Sequence, residues 1–536
     1  MAGAGVSGGG EGAAARRQVV VVGSGFGGAL AAWPLVEAGL DVLMLERGAH
    51  FARGPHNWEG EGSILRTPVY SDGPAYVAHG PRGERTVRGY ACVGGPSVFY
   101  GGVSLRFRER DFAADPEIVT DSGARWPYGY AELAPYYARA ERILMVAGRT
   151  GEDPTEPPRE GPYPQELPPL SAVSARVAEA ARGLGLHPFR LPLAINYGGD
   201  PERRPCVECA TCDTFACAIE AKNDLEVHVL RRLRARGLDL RPQTVVTGLH
   251  VERGRVAGVT CRDRRTGETW TVAADHVVLA GGALATAQLL LASGLAEHNP
   301  AGELVGRYLT RHCSGIVFGA YAGLVRHEGR YHKQIGIHDF YDGDAGGGAP
   351  PGPLGNIQQT QTPHPGTVEG ELPAPVVALL TPLVRRLTGL LVIAEDRPRP
   401  ENGVRVDPDD LDEYGLPRLH IEHRYTDRDL AARRHLARRA REVHRAAGAR
   451  AWYTHTIDTF SHALGTVRMG DDAARAPLDG LGRFRGVDGL WVADGSALPT
   501  SAGVNPSLTI AAHALRVGEA LREAVRRDGP HHREGA

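Results

Sequence analysis

The chain has 536 residues, more than a single hydrophobic core grows to, so at least two domains are expected. Its 61 basic and 63 acidic side chains leave a net charge of -2, which gives no general electrostatic pull toward nucleic acid or an anionic membrane. No stretch has the length and apolarity of a transmembrane helix, so neither nucleic acid nor a membrane is expected as a partner.

Residues 1–16 are rich in Gly and Ala and read as a disordered leader. Arg16-Arg17 run straight into an apolar strand with no signal core between, so the cytoplasm is the expected compartment. Val19-Val20-Val21-Val22 has the composition of a strand buried on both faces. Gly23-Ser24-Gly25-Phe26-Gly27-Gly28 follows, a G-x-G-x-x-G turn into a helix that should reach Ala38. Gly23 suits the tight turn, Gly25 the close approach of a pyrophosphate, and Gly28 the packing of helix on strand. Pro34 predicts a kink or a shorter first segment. Asp41–Leu45 is a second apolar strand that ends at Glu46, 18 residues beyond Gly28, with Arg47 next to it. A carboxylate at that place accepts ribose hydroxyls, and glycines, strands and acid together predict a dinucleotide site.

A long irregular region leads to two glycine pairs, Gly94-Gly95 and Gly101-Gly102, with Ser97 between them. Such a loop can lay backbone N–H groups against a planar cofactor. Helices are expected over 130–147 and 171–182, with a proline-rich loop over 150–169. Cys206, Cys209, Cys212 and Cys217 are spaced closely enough for a metal or iron–sulfur cluster, for disulfides, or for free thiols in a tight loop. With Cys92, Cys261 and Cys313 the total is seven, unlike an extracellular disulfide framework. Thr244–Leu249, which contains Val246, reads as a strand, followed by a strand pair around 256–259 and 269–272. Asp275–Leu279 reads as a further buried strand ending on Ala280-Gly281-Gly282, with a helix over 285–293, a repeat of the N-terminal unit. Beyond a Gly/Pro loop at 343–355, strands are expected at 390–394 and 419–425. The Arg-rich helix over 429–447 has acids interspersed and reads as a solvated face. Leu490–Ala493 is a strand delivering Asp494 and Gly495, and Gly503-Val504-Asn505-Pro506 opens a helix through Ala520. Residues 527–536 read as a disordered tail.

These pieces resemble the glucose–methanol–choline family of flavoprotein oxidoreductases. The matching elements are the Gly23/Gly25/Gly28 turn with Glu46, the loop 94–102, Leu279–Gly282, Gly306-Arg307-Tyr308-Leu309, His462-x-x-Gly465-Thr466, Asp494-Gly495 and Gly503–Pro506. The resemblance implies an α/β fold with a Rossmann-like FAD domain and a substrate domain built on an antiparallel sheet. It assigns 17–113, 224–314 and 456–526 to the first, and 114–223 and 315–455 to the second. FAD contacts would fall on Gly23, Gly25, Phe26, Gly27, Gly28, Glu46, Arg47, Gly94, Gly95, Ser97, Gly101, Gly102, Val246, Ala280, Gly281, Asp494, Gly495, Asn505 and Pro506. Some members tether the flavin through a histidine in the double-glycine loop, and Gly95–Gly101 contains none, so FAD is expected to be non-covalent.

The family's catalytic histidine falls on His462 and its partner on Asn505. Removing a hydride from an alcohol carbon builds alkoxide character on its oxygen, which an imidazole of near-neutral pKa and an adjacent amide can serve. No metal is assigned to that chemistry. The segment facing the flavin is expected at 355–361, with Gln359 and Gln361 in place of a sterol oxidase's glutamate. The substrate is therefore expected to be a polar small-molecule alcohol, such as a sugar, glycoside or amino sugar. His338–Asp344 offers carboxylates for ammonium groups and rings to stack on a sugar. An apolar entrance at 371–391 would instead suit a sterol or aliphatic alcohol, and a lyase with a redox-silent flavin is a further alternative. The electron acceptor is left open between oxygen and a redox partner.

Overall fold

The computed structural model describes residues 16–80, 83–322, 333–361, 375, 384 and 386–529. Most of the leader, the end of the tail and most of the 371–391 entrance lie outside the described residues.

The valine run forms strand Arg17–Val22, with Val19, Val20 and Val21 fully buried. It pairs in parallel with Val42–Leu45 on one side and with the end of Thr269–Leu279 on the other. Asp239–Arg241 extends the sheet beyond Val42–Leu45, and Leu490–Val492 pairs with Val277–Leu279. Five parallel strands thus end along one edge, where Gly23, Glu46, Ala280 and Asp494 follow, the edge at which such sheets bind ligands. Thr269–Leu279 corrects the expectation of two separate strands. Its first half pairs antiparallel with Arg255–Asp263, and its second half enters the parallel sheet without a break. Its pattern changes from alternating to continuously buried at that crossing, which in sequence looks like two elements.

Helix Phe26–Glu37 is one unbroken segment with Pro34 inside, so the shorter first segment is not found. It packs on the C-terminal helix Ser507–Asp528, where Gly518 leaves room for Ala31 O and Pro34. That helix runs past the expected end at Ala520, because Leu521 is still buried in the core.

A second sheet is antiparallel throughout, in the order Ala451–Thr456, Cys313–Ala320, Leu387–Ala394, Gly355–Thr360, Ile335–Ile337 and Phe189–Arg190. Helices Ala172–Gly183 and Asp427–Ala446 cover one face of it. The Arg-rich helix buries Ala432, Leu436, Ala440 and Val443 and leaves Arg434 and Arg438 exposed. Arg428 is the exception to its solvated face, being buried against Pro351, Pro353 and Glu395 carbonyls. A third, four-stranded sheet joins Ala75–Gly80 and Gly83–Arg88 to Pro417–Glu422 and Gly403–Leu411. Backbone hydrogen bonding there links segments that the sequence reading divides between the two domains.

Candidate active site

The glycine turn is built as its spacing implies. Gly23 has φ +103°, and a Cβ there would collide with Ala280 O, so glycine is required on both counts. A Cβ on Gly28 would collide with Gly23 O, whereas one on Gly25 would meet nothing within 4 Å. The helix beginning at Phe26 has no side-chain cap and no acid in its first turn. Its N-terminal N–H groups and dipole therefore face open space beside Gly25, a cradle for pyrophosphate.

Glu46 closes this cradle from the next strand. Its Oε2 accepts from Ser24 N at 3.0 Å and Ser24 Oγ at 2.6 Å, and its Oε1 from Gly48 N at 2.7 Å. Burial pushes its pKa up despite those bonds. Ser24 Oγ also accepts from Gly94 N at 2.9 Å, tying the double-glycine loop to the turn, and Gly95 lies over Gly25. Ser97 Oγ donates to Gly94 O and accepts from Leu225 N, which holds the loop's shape. Across the sheet edge, Asp494 accepts from Gly282 N, Thr286 Oγ1, Ser496 N and Ser496 Oγ. A Cβ on Gly27 would come within 2.9 Å of Asp494 Cα, so that wall is close too. The Arg47 guanidinium lies 5.8 Å from the Tyr414 ring centroid. Val246 is buried within strand Thr244–Glu252. Donors, space and carboxylate fit an adenine dinucleotide such as FAD.

His462 stands two residues before Leu464, which exchanges backbone hydrogen bonds with Thr310 and so brings it beside His312. Its Nδ1 is 3.0 Å from Nδ1 of His312, whose Nε2 is 2.9 Å from Ser501 O. A carbonyl only accepts, so His312 Nε2 carries a proton, and in the neutral ring its Nδ1 is an acceptor. His462 Nδ1 must then donate, which leaves Nε2 of His462 as an unprotonated lone pair. Burial first, then the proximity of His312 and Lys333, pushes the His462 pKa down to about 3. A nitrogen base deep in protein resists becoming a cation.

His312 is itself fixed. Asp396 accepts from the backbone N–H groups of Arg311 and His312 and from Ser501 Oγ, and is 3.3 Å from His423 Nε2. Burial opposes the charge on Asp396, yet His423 and these hydrogen bonds hold its pKa below the usual range. The Ser501–Asn505 segment brings Asn505 into the same neighbourhood. Pro506 is the N-cap of the last helix, and Asn505 Oδ1 is buried without a hydrogen-bond partner among the described residues.

Two expectations are corrected, one by the pleat and one by ion pairing. Asn356 donates to Gly503 O and Thr360 to Asp213, so these positions of strand Gly355–Thr360 face the site. Gln358 lies on that face, and Gln359 lies on the other, where its Oε1 accepts from Ser174 Oγ and Gln334 N. Gln361 meets the site side through its backbone N–H, which donates to Asp213 Oδ2. The 338–344 carboxylates are engaged elsewhere: Asp339 with His187, Asp342 with Arg110, Asp344 with His435 and Arg439. Tyr341 is buried, donating to Asp111 and accepting from Gly503 N. The four clustered cysteines are unbonded thiols, and the described residues contain no group of three His, Cys, Asp or Glu side chains placed to hold a metal.

Family models described as GMC oxidoreductase match residues 82–314 and 398–514, and one described as an NAD(P)-binding Rossmann-like domain matches 21–85. Paromamine 6'-oxidase of Streptomyces fradiae is 34% identical, covering 94% of this chain and 91% of its own length. The chain belongs to the GMC oxidoreductase family. It is an FAD-dependent oxidoreductase that acts on CH–OH groups. The 6'''-hydroxyparomomycin C oxidase of Streptomyces lividus is also 34% identical, over 96% of this chain and 93% of its own. In fold the chain matches pyridoxine 4-oxidase from Mesorbium loti with a TM-score of 0.68 at 21% identity, covering 94% of this chain and 99% of that one. Among the described residues no helix is long and apolar enough to cross a membrane.

Proposed function

We propose that this oxidoreductase acts on a polar alcohol, a sugar, glycoside or amino sugar, with His462 as general base and FAD held non-covalently. The observation that carries the reading is the proton order from Ser501 O through His312, which leaves the His462 Nε2 lone pair free for a substrate hydroxyl. FAD bound in the cradle supplies the acceptor for the hydride that leaves the alcohol carbon. His462 takes the hydroxyl proton at Nε2, and the Asn505 carboxamide holds the same oxygen. The backbone of the Gly23–Gly28 turn would hold the pyrophosphate, Glu46 the ribose, and the 94–102 loop the ring system. Similarity to two aminoglycoside-type oxidases along almost the whole chain supports a sugar alcohol. The non-covalent state rests on the lack of histidine in Gly95–Gly101, and a cytoplasmic site on the seven unbonded thiols.

The test is anaerobic mixing of purified protein with glycosides, amino sugars, polyols, long-chain alcohols and cholesterol at equal concentration, following flavin absorbance. Bleaching by the polar alcohols is expected, and efficient bleaching only by the last two would overturn the substrate reading. Admitting air then separates an oxidase from a dehydrogenase. Heat denaturation should release intact FAD, and flavin left on the polypeptide would overturn the non-covalent state alone.

A further inference from the structure

The cysteine loop brings a carboxylate to the site that no motif announces. Cys212 is followed by Asp213, whose Oδ1 pairs with Lys333 Nζ at 2.8 Å. Its Oδ2 accepts from Thr360 Oγ1 at 3.1 Å and Gln361 N at 3.3 Å. The pair rests on Gly101, the first glycine of the second pair: a Cβ there would collide with Asp213 Oδ1 and come within 2.5 Å of Lys333 Nζ. The loop is held in place by Lys222, buried, which donates to the carbonyls of Tyr100, Cys212 and Phe215. The four thiols stand around a structural turn that delivers Asp213.

The pair has unused capacity of a definite kind. A carboxylate offers about four acceptor positions and an ammonium three donors. Among the described residues Asp213 has spent three, one of them on Lys333, and Lys333 has spent one. What remains is one acceptor on Asp213 beside two donors on Lys333. Two residues before Thr360, on the same sheet face, Gln358 is fully buried with neither end of its amide hydrogen-bonded among the described residues. Leaving that amide dry and unpaired is costly unless a ligand completes it.

We infer that Asp213 and Lys333, with Gln358 beside them, form the specificity contact for a second hydroxyl of the substrate, next to the one that is oxidised. A hydroxyl both accepts, from Lys333, and donates, to Asp213. An ammonium can only donate and would meet Lys333 with like charge, and a carboxylate can only accept and would meet Asp213. The pair touches Gly101 of the double-glycine loop and lies on the sheet face whose Asn356 reaches Gly503, two residues before Asn505, which sets it on the side of the site. The inference rests on the polar-alcohol reading above, and refines it.

The experiment crosses mutation with substrate. Methyl α-D-glucopyranoside and each of its monodeoxy derivatives are mixed anaerobically with wild type, with Lys333→Gln, and with the neutral pair Asp213→Asn/Lys333→Gln. The dissociation constant and limiting rate of flavin reduction are read separately. In wild type, one deoxy position other than the reacting one should weaken binding by about 10- to 100-fold, the worth of a hydrogen bond to charged groups. In the variants that same deletion should cost clearly less, because one or both charged partners are gone, while the other deletions cost what they cost in wild type. The variants replace charged groups by neutral amides able to hydrogen-bond, and FAD content and melting temperature report whether they fold. Should the double variant lose FAD, Lys333→Gln alone is read in the same way. Equal losses for every derivative in variant and wild type would overturn the inference and leave the polar-alcohol reading intact. Failure of every glycoside, amino sugar and polyol of the substrate screen to bleach the wild-type flavin would overturn that reading, and the inference with it.

Discussion

Replacing His312 by phenylalanine tests the proton order directly. Phenylalanine keeps a ring in the space but removes both polar ends, so His462 Nδ1–H loses its acceptor and Ser501 O its donor. As His462 accepts the substrate proton it becomes an imidazolium, and its bond to His312 then becomes charge-assisted, worth about 1.5–3 kcal/mol. At one decade of rate per ~1.4 kcal/mol, flavin reduction should slow by about 10- to 100-fold. The loss belongs to the limiting rate of reduction, because His312 is placed behind His462 and not on substrate. The assay is anaerobic stopped-flow at saturating alcohol, with FAD content and melting temperature measured alongside. His312→Asn, whose Oδ1 can take the place of Nδ1, should recover part of the rate. A His312→Phe protein with full FAD and a wild-type rate of reduction would refute the reasoning.

Two glycines of the turn should behave oppositely. Gly25→Ala should leave the melting temperature of FAD-free protein almost unchanged, since its Cβ meets nothing within 4 Å, and should weaken FAD binding measured by titration. Gly28→Ala should lower the melting temperature of FAD-free protein, because its Cβ collides with Gly23 O. Stability should also fall in mild acid. Burial is the largest cause that pushes His462, His228 and His513 down to about 3 and His444 down to about 4. The unfolded chain therefore binds more protons below the ordinary histidine pKa near ~6.5, and each such histidine removes roughly 1 kcal/mol per pH unit from there down toward its folded value. Urea unfolding at pH 7, 6 and 5 measures this, and a midpoint that rises on acidification would contradict it.

Much of the cofactor half was legible in the sequence, because its constraints are local. A buried valine strand, a turn in which Cβ atoms collide, and an acid at the next strand's end lie within 30 residues of one another. The site's remainder depends on contacts made across hundreds of residues. His312 was readable only as the position three beyond Leu309 of a family motif, and its pairing with His462 spans 150 residues. Gln359 was placed on the wrong face because one residue of register turns a strand's side chains over, and a run of consecutive buried polar residues carries no alternation to read. Asp213 was hidden among cysteines whose spacing drew attention to metals. Its role depends on Lys333, 120 residues away.

The most direct test of the account is His462→Ala. If His462 Nε2 takes the substrate proton, the variant should bind FAD as wild type does and show the same absorbance spectrum when oxidised. Its flavin should be reduced by alcohol about 10²- to 10⁴-fold more slowly, the usual worth of a positioned general base. Reduction itself must be followed in the absence of oxygen, because turnover in air is also set by reoxidation. A His462→Ala protein that holds FAD and is reduced at the wild-type rate would contradict the central claim.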